Sequence, residues 1–205
     1  MSARLEYRPD IDGLRALAVV AVIFFHAGIT GFSGGFVGVD VFFVLSGYLI
    51  TGVIITACES GEFSFSEFYK SRVRRLLPAM ACTILATLLF ASFLLQPDHL
   101  VSLAYSSISA IFSVSNIYFY FASGYWEAAA LSKPLLHTWS LSVEEQFYMF
   151  WPAFIALIAF RLGKKSIALM FVIIVSSVVA TVAVTDVNSS VAFYLTPFRI
   201  YEFAI

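Results

Sequence analysis

An arginine and a histidine stand eleven residues apart in LRALAVVAVIFFHAG, Leu14 to Gly28, a run that is otherwise apolar. A helix turns ~100° and rises ~1.5 Å per residue, which puts Arg15 and His26 on nearly one face, about 16 Å apart along the axis. An imidazole, with an ordinary pKa close to neutrality, can take a proton and return it. A guanidinium can hold an anion or a developing negative charge. Two plainer readings compete: an arginine that snorkels from a helix end, and a histidine satisfied by an interhelical hydrogen bond. Asp12, three residues before Arg15, could hold the guanidinium in place.

Three further groups of polar residues interrupt apolar sequence. In GGFVGVDVFFVLSGYLI, Gly34 to Ile50, the residues Asp40, Gly47 and Thr51 share a helical face by steps of seven and four. Asp40 either caps a helix at the membrane surface or positions His26 or a substrate hydroxyl. In LHTWSLSVEEQFYMFWP, Leu136 to Pro152, one stripe carries His137, Ser140, Leu141, Glu144, Tyr148 and Trp151. Such a stripe is too polar for lipid and predicts a cavity wall, with Glu144 or its neighbour Glu145 as a buried carboxylate; Glu144 is preferred because it shares the face of His137 and Tyr148. Acidic residues favouring a helix N-terminus offer a simpler account. Arg199 and Glu202, three apart in FYLTPFRIYEF, can pair across one turn, as a structural ion pair or as a hold on a sugar.

The elements that must carry these residues are membrane helices. Of 205 residues, 60% are hydrophobic and 12% charged, against nearly half and about a quarter in soluble domains. The net charge of -1 leaves no basic domain for a nucleic-acid partner. Cys58 and Cys82 form neither a C-x-x-C pair nor a metal cluster, so no metal is expected. A helix needs ~20 apolar residues to cross the bilayer. Candidate runs are Leu14–Thr30, Phe36–Cys58, Leu76–Leu95, Leu103–Phe121, Phe147–Phe160, Ile167–Val184 and one beginning near Val191. The expected fold is therefore all-α, a polytopic transmembrane bundle of six to seven apolar segments. Because Ile205 falls inside the last run, residues 1–205 read as the N-terminal part of a longer membrane domain.

Arg4 and Arg8, then Lys70, Arg72, Arg74 and Arg75, place the N-terminus and the loop between the second and third runs in the cytoplasm, with Gly31–Gly35 outside. RLGKK, Arg161 to Lys165, also calls for the cytoplasm, which two full crossings after Gln96 would not allow. A re-entrant or broken Leu103–Phe121 segment resolves the conflict, since irregular backbone is tolerated at membrane depth where it lines a buried cavity.

YRPDIDGLRALAVVAVIFFHAG followed by GGFVGVDVFFVLSGYLI resembles the opening of acyltransferase family 3, bacterial multi-pass membrane enzymes that O-acylate extracytoplasmic sugars. FYKSRVRRLLPA, LHTWSLSVEEQFYMFWP and FYLTPFRIYEF follow in the family's order, so the resemblance covers essentially the whole chain. It implies a core of about ten helices in the bacterial inner membrane. It also implies essential roles for Arg15 and His26, a cytoplasmic acyl-CoA (acetyl-CoA) donor, an envelope glycan acceptor and, in some members, an appended extracytoplasmic SGNH-type domain.

With that resemblance, Arg72 and Arg75, and less directly Arg74, are expected to bind donor phosphates as well as to set topology. His26 is then the expected base, Arg15 the hold on the donor, Asp40 and Glu144 its catalytic neighbours. Asp12, His137, Tyr148, Arg199 and Glu202 are expected to line the acceptor side or the cavity. Ser46-Gly47 lacks the G-x-S-x-G context of a seryl nucleophile, so direct transfer is preferred, with an acyl-His26 intermediate as the other route. Buried Arg, His, Asp and Glu in a bundle equally describe a proton-coupled transporter or flippase; the cytoplasmic arginine cluster, which a thioester donor needs and a proton-coupled carrier does not, favours transfer.

Overall fold

The computed structural model describes residues 8–122, 133–161 and 165–205, without the side chains of 157–161 and 165. Arg4 and residues 162–164 of the RLGKK stretch, used above for orientation, lie outside the described residues. Among the described residues all regular structure is helical. The α-helices are α1 (Pro9–His26), α2 (Gly38–Glu59), α3 (Phe65–Leu94), α4 (Pro97–Ile111), α5 (Ser115–Ala122), α6 (Thr138–Arg161), α7 (Lys165–Thr185), α8 (Ser189–Tyr194) and α9 (Ile200–Ala204). Short 3-10 turns occupy Gly35–Val37 and Thr196–Phe198.

Three helical stretches among the described residues are long and apolar enough to cross a bilayer: Gly35–Glu59, Phe65–Leu94 and Ser166–Thr185. This is fewer than the seven runs counted in the sequence, for identifiable reasons. α1 has only 18 residues and carries Asp10, Asp12 and Arg15 in its first half. The Leu103–Phe121 run is not one helix: it breaks at Ser113, whose φ of 56° no helix can contain, into α4 and α5. The run from Val191 breaks at Pro197 into α8, a 3-10 turn and α9. α6 has the length, but Glu144, Glu145 and Arg161 make it too polar.

Contacts divide the chain into two units. The first comprises residues up to Phe63, Phe150–Val182 and Pro197–Ile205. Here α2 packs against both α1 and α9. A Cβ on Gly35 or Gly38 would strike the backbone of Ala21 or Ala18, so these glycines let the 3-10 turn and the start of α2 lie directly on α1. Gly47 does the same against the Phe203 carbonyl of α9, beside the stacked rings of Phe43 and Phe203, 4.6 Å apart. Trp151 Nε1 donates to Thr51 Oγ1 at 2.7 Å. From α7, Ser177 and Thr181 donate to the carbonyls of Pro197 and Phe198 at 3.0 and 2.6 Å. These bonds satisfy backbone groups that the broken C-terminal segment leaves without helical partners.

The second unit comprises Ser64–Met149 and Ala183–Thr196. Ser64 caps α3 by accepting from the Glu67 amide, the S-x-x-E pattern of a helix start. α3 packs on α4 around Ile84, Ala91, Leu103, Ala110 and Leu135. A polar network joins α5 to α6: Thr138 Oγ1 donates to Ser115 Oγ at 3.0 Å, and the Ser115 and Ser142 hydroxyls lie 2.8 Å apart. Gln146 Nε2 donates to the Ser113 carbonyl and to Asn116 Oδ1, both at 2.8 Å, while Asn116 donates to the Tyr194 carbonyl at 3.0 Å. Gln146 thus satisfies a carbonyl exposed by the α4–α5 break.

Gly47→Ala should force α2 away from Phe203 and destabilise the full-length protein by about 1–3 kcal/mol, seen as a lower thermal unfolding midpoint in detergent. Gly13→Ala, where an added methyl meets nothing within 4 Å, should be neutral or slightly stabilising.

Candidate functional site

α1 places Arg15 and His26 where the helical count predicted. Ile11 and Ala18, its buried residues, mark the face toward α2, and Arg15 and His26 fall at the edge of that face, roughly 20° apart in projection. Arg15 is half-buried, whereas Asp12 and His26 are exposed. No ion pair joins Asp12 to Arg15: the aspartate lies further round the helix, on its outer side. Before them, Arg8 bonds Asp10 at 2.9 and 2.6 Å, and these hydrogen bonds hold the Asp10 carboxyl down at about 2.

His26 is the last residue of α1. Gly28, with φ of 67°, stops the helix, as the Ile29 amide donates to Phe24 O and the Gly28 amide to Phe25 O, both at 3.1 Å. The ring is therefore at a helix end, presented by a turn, rather than at mid-helix. Its Nδ1 lies 2.8 Å from the Val22 carbonyl. A carbonyl only accepts, so Nδ1 carries the proton and the neutral ring keeps its lone pair on Nε2, the atom able to act as base. Phe25 meets the imidazole edge to face at 5.2 Å and also packs against Phe36, which fixes the turn beside it.

Asp40, Arg199 and Glu202 converge in the same unit. Arg199 Nη1 donates to Asp40 Oδ1 at 3.1 Å and to Glu202 Oε1 at 2.6 Å. Arg199 and Glu202 are largely buried and Asp40 half-buried. Asp40 is thus partnered by Arg199, and no hydrogen bond joins it to His26. The pairing of Arg199 with Glu202 follows from their spacing; the arrival of Asp40, 159 residues away, does not.

In the second unit, Arg72 of α3 lies over the Tyr148 ring of α6 at 4.8 Å and over Phe68 at 5.7 Å. Tyr148 OH donates to Glu144 Oε1. Arg72, Glu145 and Gln146 line a cavity of about 270 Å³ with Tyr69, Phe112, Ser113, Tyr148 and Met149. The α4–α5 break thus forms part of a cavity wall. The expectation preferred Glu144 as the buried carboxylate, yet its neighbour Glu145 faces this cavity, and Glu145 Oε1 is buried without a hydrogen-bond partner. His137, just before α6, is exposed, its carbonyl accepting from Ser140 Oγ at 3.2 Å. Arg74 and Arg75 are exposed. Sequence reasoning missed Gln146, Asn116 and Tyr69; the polarity of the SVEEQ stretch was the available signal for Gln146 alone. No group of three His, Cys, Asp or Glu able to hold a metal occurs among the described residues.

Residues 8–205 match the acyltransferase domain of family 3. The chain belongs to acyltransferase family 3. It is 39% identical over 203 residues to a peptidoglycan O-acetyltransferase, OatA, of Listeria monocytogenes, covering 96% of this chain and 32% of that protein. It is also 39% identical over 165 residues to the O-acetyltransferase OatA of Staphylococcus aureus, covering 79% of this chain and 27% of that one. The chain therefore spans about a third or less of the length of these relatives. No solved structure matches it. In this family member, the matched region takes in both Arg15 and His26 on α1 and the Arg72–Glu145 cavity.

Arg199→Met would leave Asp40 and buried Glu202 without their shared cation, and should cost about 3–5 kcal/mol. Adding Asp40→Asn and Glu202→Gln should recover much of that loss, as read from unfolding midpoints of the three proteins.

Proposed function

We propose that this protein transfers an acyl group from a cytoplasmic acyl-CoA, acetyl-CoA in the first instance, to a hydroxyl of a cell-wall glycan on the far side of the bacterial inner membrane. The observation that carries this reading is the 39% identity, over 96% of the chain, to a protein named for peptidoglycan O-acetylation. The basic residues Arg8, Lys70, Arg72, Arg74 and Arg75 support a cytoplasmic N-terminus and entry of the donor from that side.

In this proposal His26 Nε2 takes the proton of the glycan hydroxyl as its oxygen attacks the thioester carbonyl. The new C–O bond forms, the C–S bond breaks, and the proton passes from the imidazolium to the departing thiolate, leaving an ester and free CoA thiol. Arg15, on the same side of α1 but about 16 Å nearer its N-terminus, offers positive charge to the donor. Arg72 and Arg75 hold donor phosphates. Asp40 is held by Arg199, which also binds Glu202, so the trio shapes the region around α2 for the acceptor. A positioned base contributes ~10²–10⁴-fold, which sets the size of the expected effect.

The test is glycan labelling by membranes holding the full-length protein and radiolabelled acetyl-CoA. His26→Ala should lower the rate at least ~100-fold, and Arg72→Ala should raise the donor KM more than it lowers kcat. A folded His26→Ala protein with undiminished transfer would remove the histidine from the chemistry. Labelling that needs no acetyl-CoA would show that the donor is another thioester or ester.

A further inference from the structure

The Arg72–Glu145 cavity is chemically specific beyond its positive charge. Most of its polar groups are already occupied: Tyr69 OH donates to the Met149 carbonyl at 2.7 Å, Gln146 serves Ser113 and Asn116, and Tyr148 OH serves Glu144. Two groups keep unused capacity. Glu145 Oε1, on α6, is buried with no hydrogen-bond partner. Arg72, on α3, lies over the Phe68 and Tyr148 rings, and no carboxylate among the described residues forms an ion pair with it. Arg72 and Glu145 both line this cavity, the one able to offer donors and the other an acceptor. Phe112, Val114 and Met149 make the rest of the lining apolar.

A phosphate inside the cavity would meet repulsion from Glu145 with Glu144 beside it, so the donor phosphates proposed for Arg72 and Arg75 would lie outside it, on other guanidinium N–H groups; an ammonium would suit the carboxylates but oppose the guanidinium. A neutral group with a donor on one edge and an acceptor on the other satisfies both. A trans secondary amide has that form, since its N–H and C=O point in opposite directions. The volume, about 270 Å³, is close to the ~300 Å³ lower bound of small-molecule sites, room for an amide and its flanking methylene or methyl groups. We infer that this cavity binds a secondary amide of one of the two substrates, its N–H donating to Glu145 and its carbonyl accepting from Arg72. The inference rests on the acyl-transfer reading for its two sources: the pantetheine arm of a CoA thioester, and the acetamido group of an amino-sugar acceptor.

Full-length protein in nanodiscs is titrated with pantetheine, with N-acetylglucosamine, and with forms of each N-methylated at the amide. Binding of pantetheine alone assigns the cavity to the donor, and binding of N-acetylglucosamine alone assigns it to the acceptor. In either case N-methylation, which removes the N–H, should weaken binding to the wild type by about tenfold or more. Glu145→Leu should do the same without lowering the unfolding midpoint, because it removes a buried carboxylate oxygen that has no hydrogen-bond partner. Equal binding of the methylated and unmethylated probes, or no binding of either amide, overturns the inference whether or not the variant folds. Transfer from acetyl-CoA is measured on the same sample: transfer intact with amide binding insensitive to N–H removal sinks the amide site alone, whereas absent transfer sinks the acyl-transfer reading itself.

Discussion

Lipid tails are as apolar as leucine, so helices within a bilayer gain little from hiding apolar side chains and must hold together by close packing and polar contacts. In the first unit that constraint falls on α2. Gly38 lies on the Ala18 backbone of α1 and Gly47 on the Phe203 backbone of α9, so the helix is gripped at two levels by neighbours that no Cβ would permit. Asp40 sits between those levels. Its meeting with Arg199, and through it with buried Glu202, depends on α9 lying as close as the Gly47 contact allows. Once the approach is made, the guanidinium answers both carboxylates and offsets part of the cost of burying charge, while Glu202 Oε2 stays buried without a hydrogen-bond partner.

The second unit solves a different problem. A helix that breaks leaves backbone groups without their helical partners, and these must be answered elsewhere. Ser113 turns through positive φ between α4 and α5, and Gln146 takes up its carbonyl. The same amide holds Asn116, which in turn holds the Tyr194 carbonyl before the next interruption. The polar residues that close the break are therefore neighbours of the residues that open the cavity, because a broken helix cannot fill the space a continuous one would. Arg72, stacked on Tyr148, and Glu145 face that space from two helices.

Much of this was legible in the sequence. The eleven-residue interval between Arg15 and His26 needed only helical geometry, the Arg199–Glu202 pair only one turn, and the conflict in positive charge pointed to an interrupted segment between Leu103 and Phe121. The stripe through Glu144 and Tyr148 was real as an interaction, since the tyrosine bonds the glutamate four residues earlier. That very bond occupies Glu144 and leaves Glu145 as the carboxylate at the cavity. A pattern of spacings shows which residues share a face; it cannot show which of two adjacent glutamates a tyrosine from the same helix has already engaged.

The sequence by itself determined the helical class, the apolar character, the family and the placing of two ionisable residues along one edge of α1, because these depend on composition, motif order and a helical period of 3.6. The glycine two residues after His26 ends α1 there, short of the apolar run to Thr30 that the sequence outlined. Only the tertiary structure decided that Asp40 answers to Arg199 rather than to His26, that Gly47 exists to admit a backbone, and that Gln146 mends a broken helix. These are meetings between residues as many as 159 positions apart. Their partners are chosen by how closely whole helices approach, and no local spacing encodes that distance.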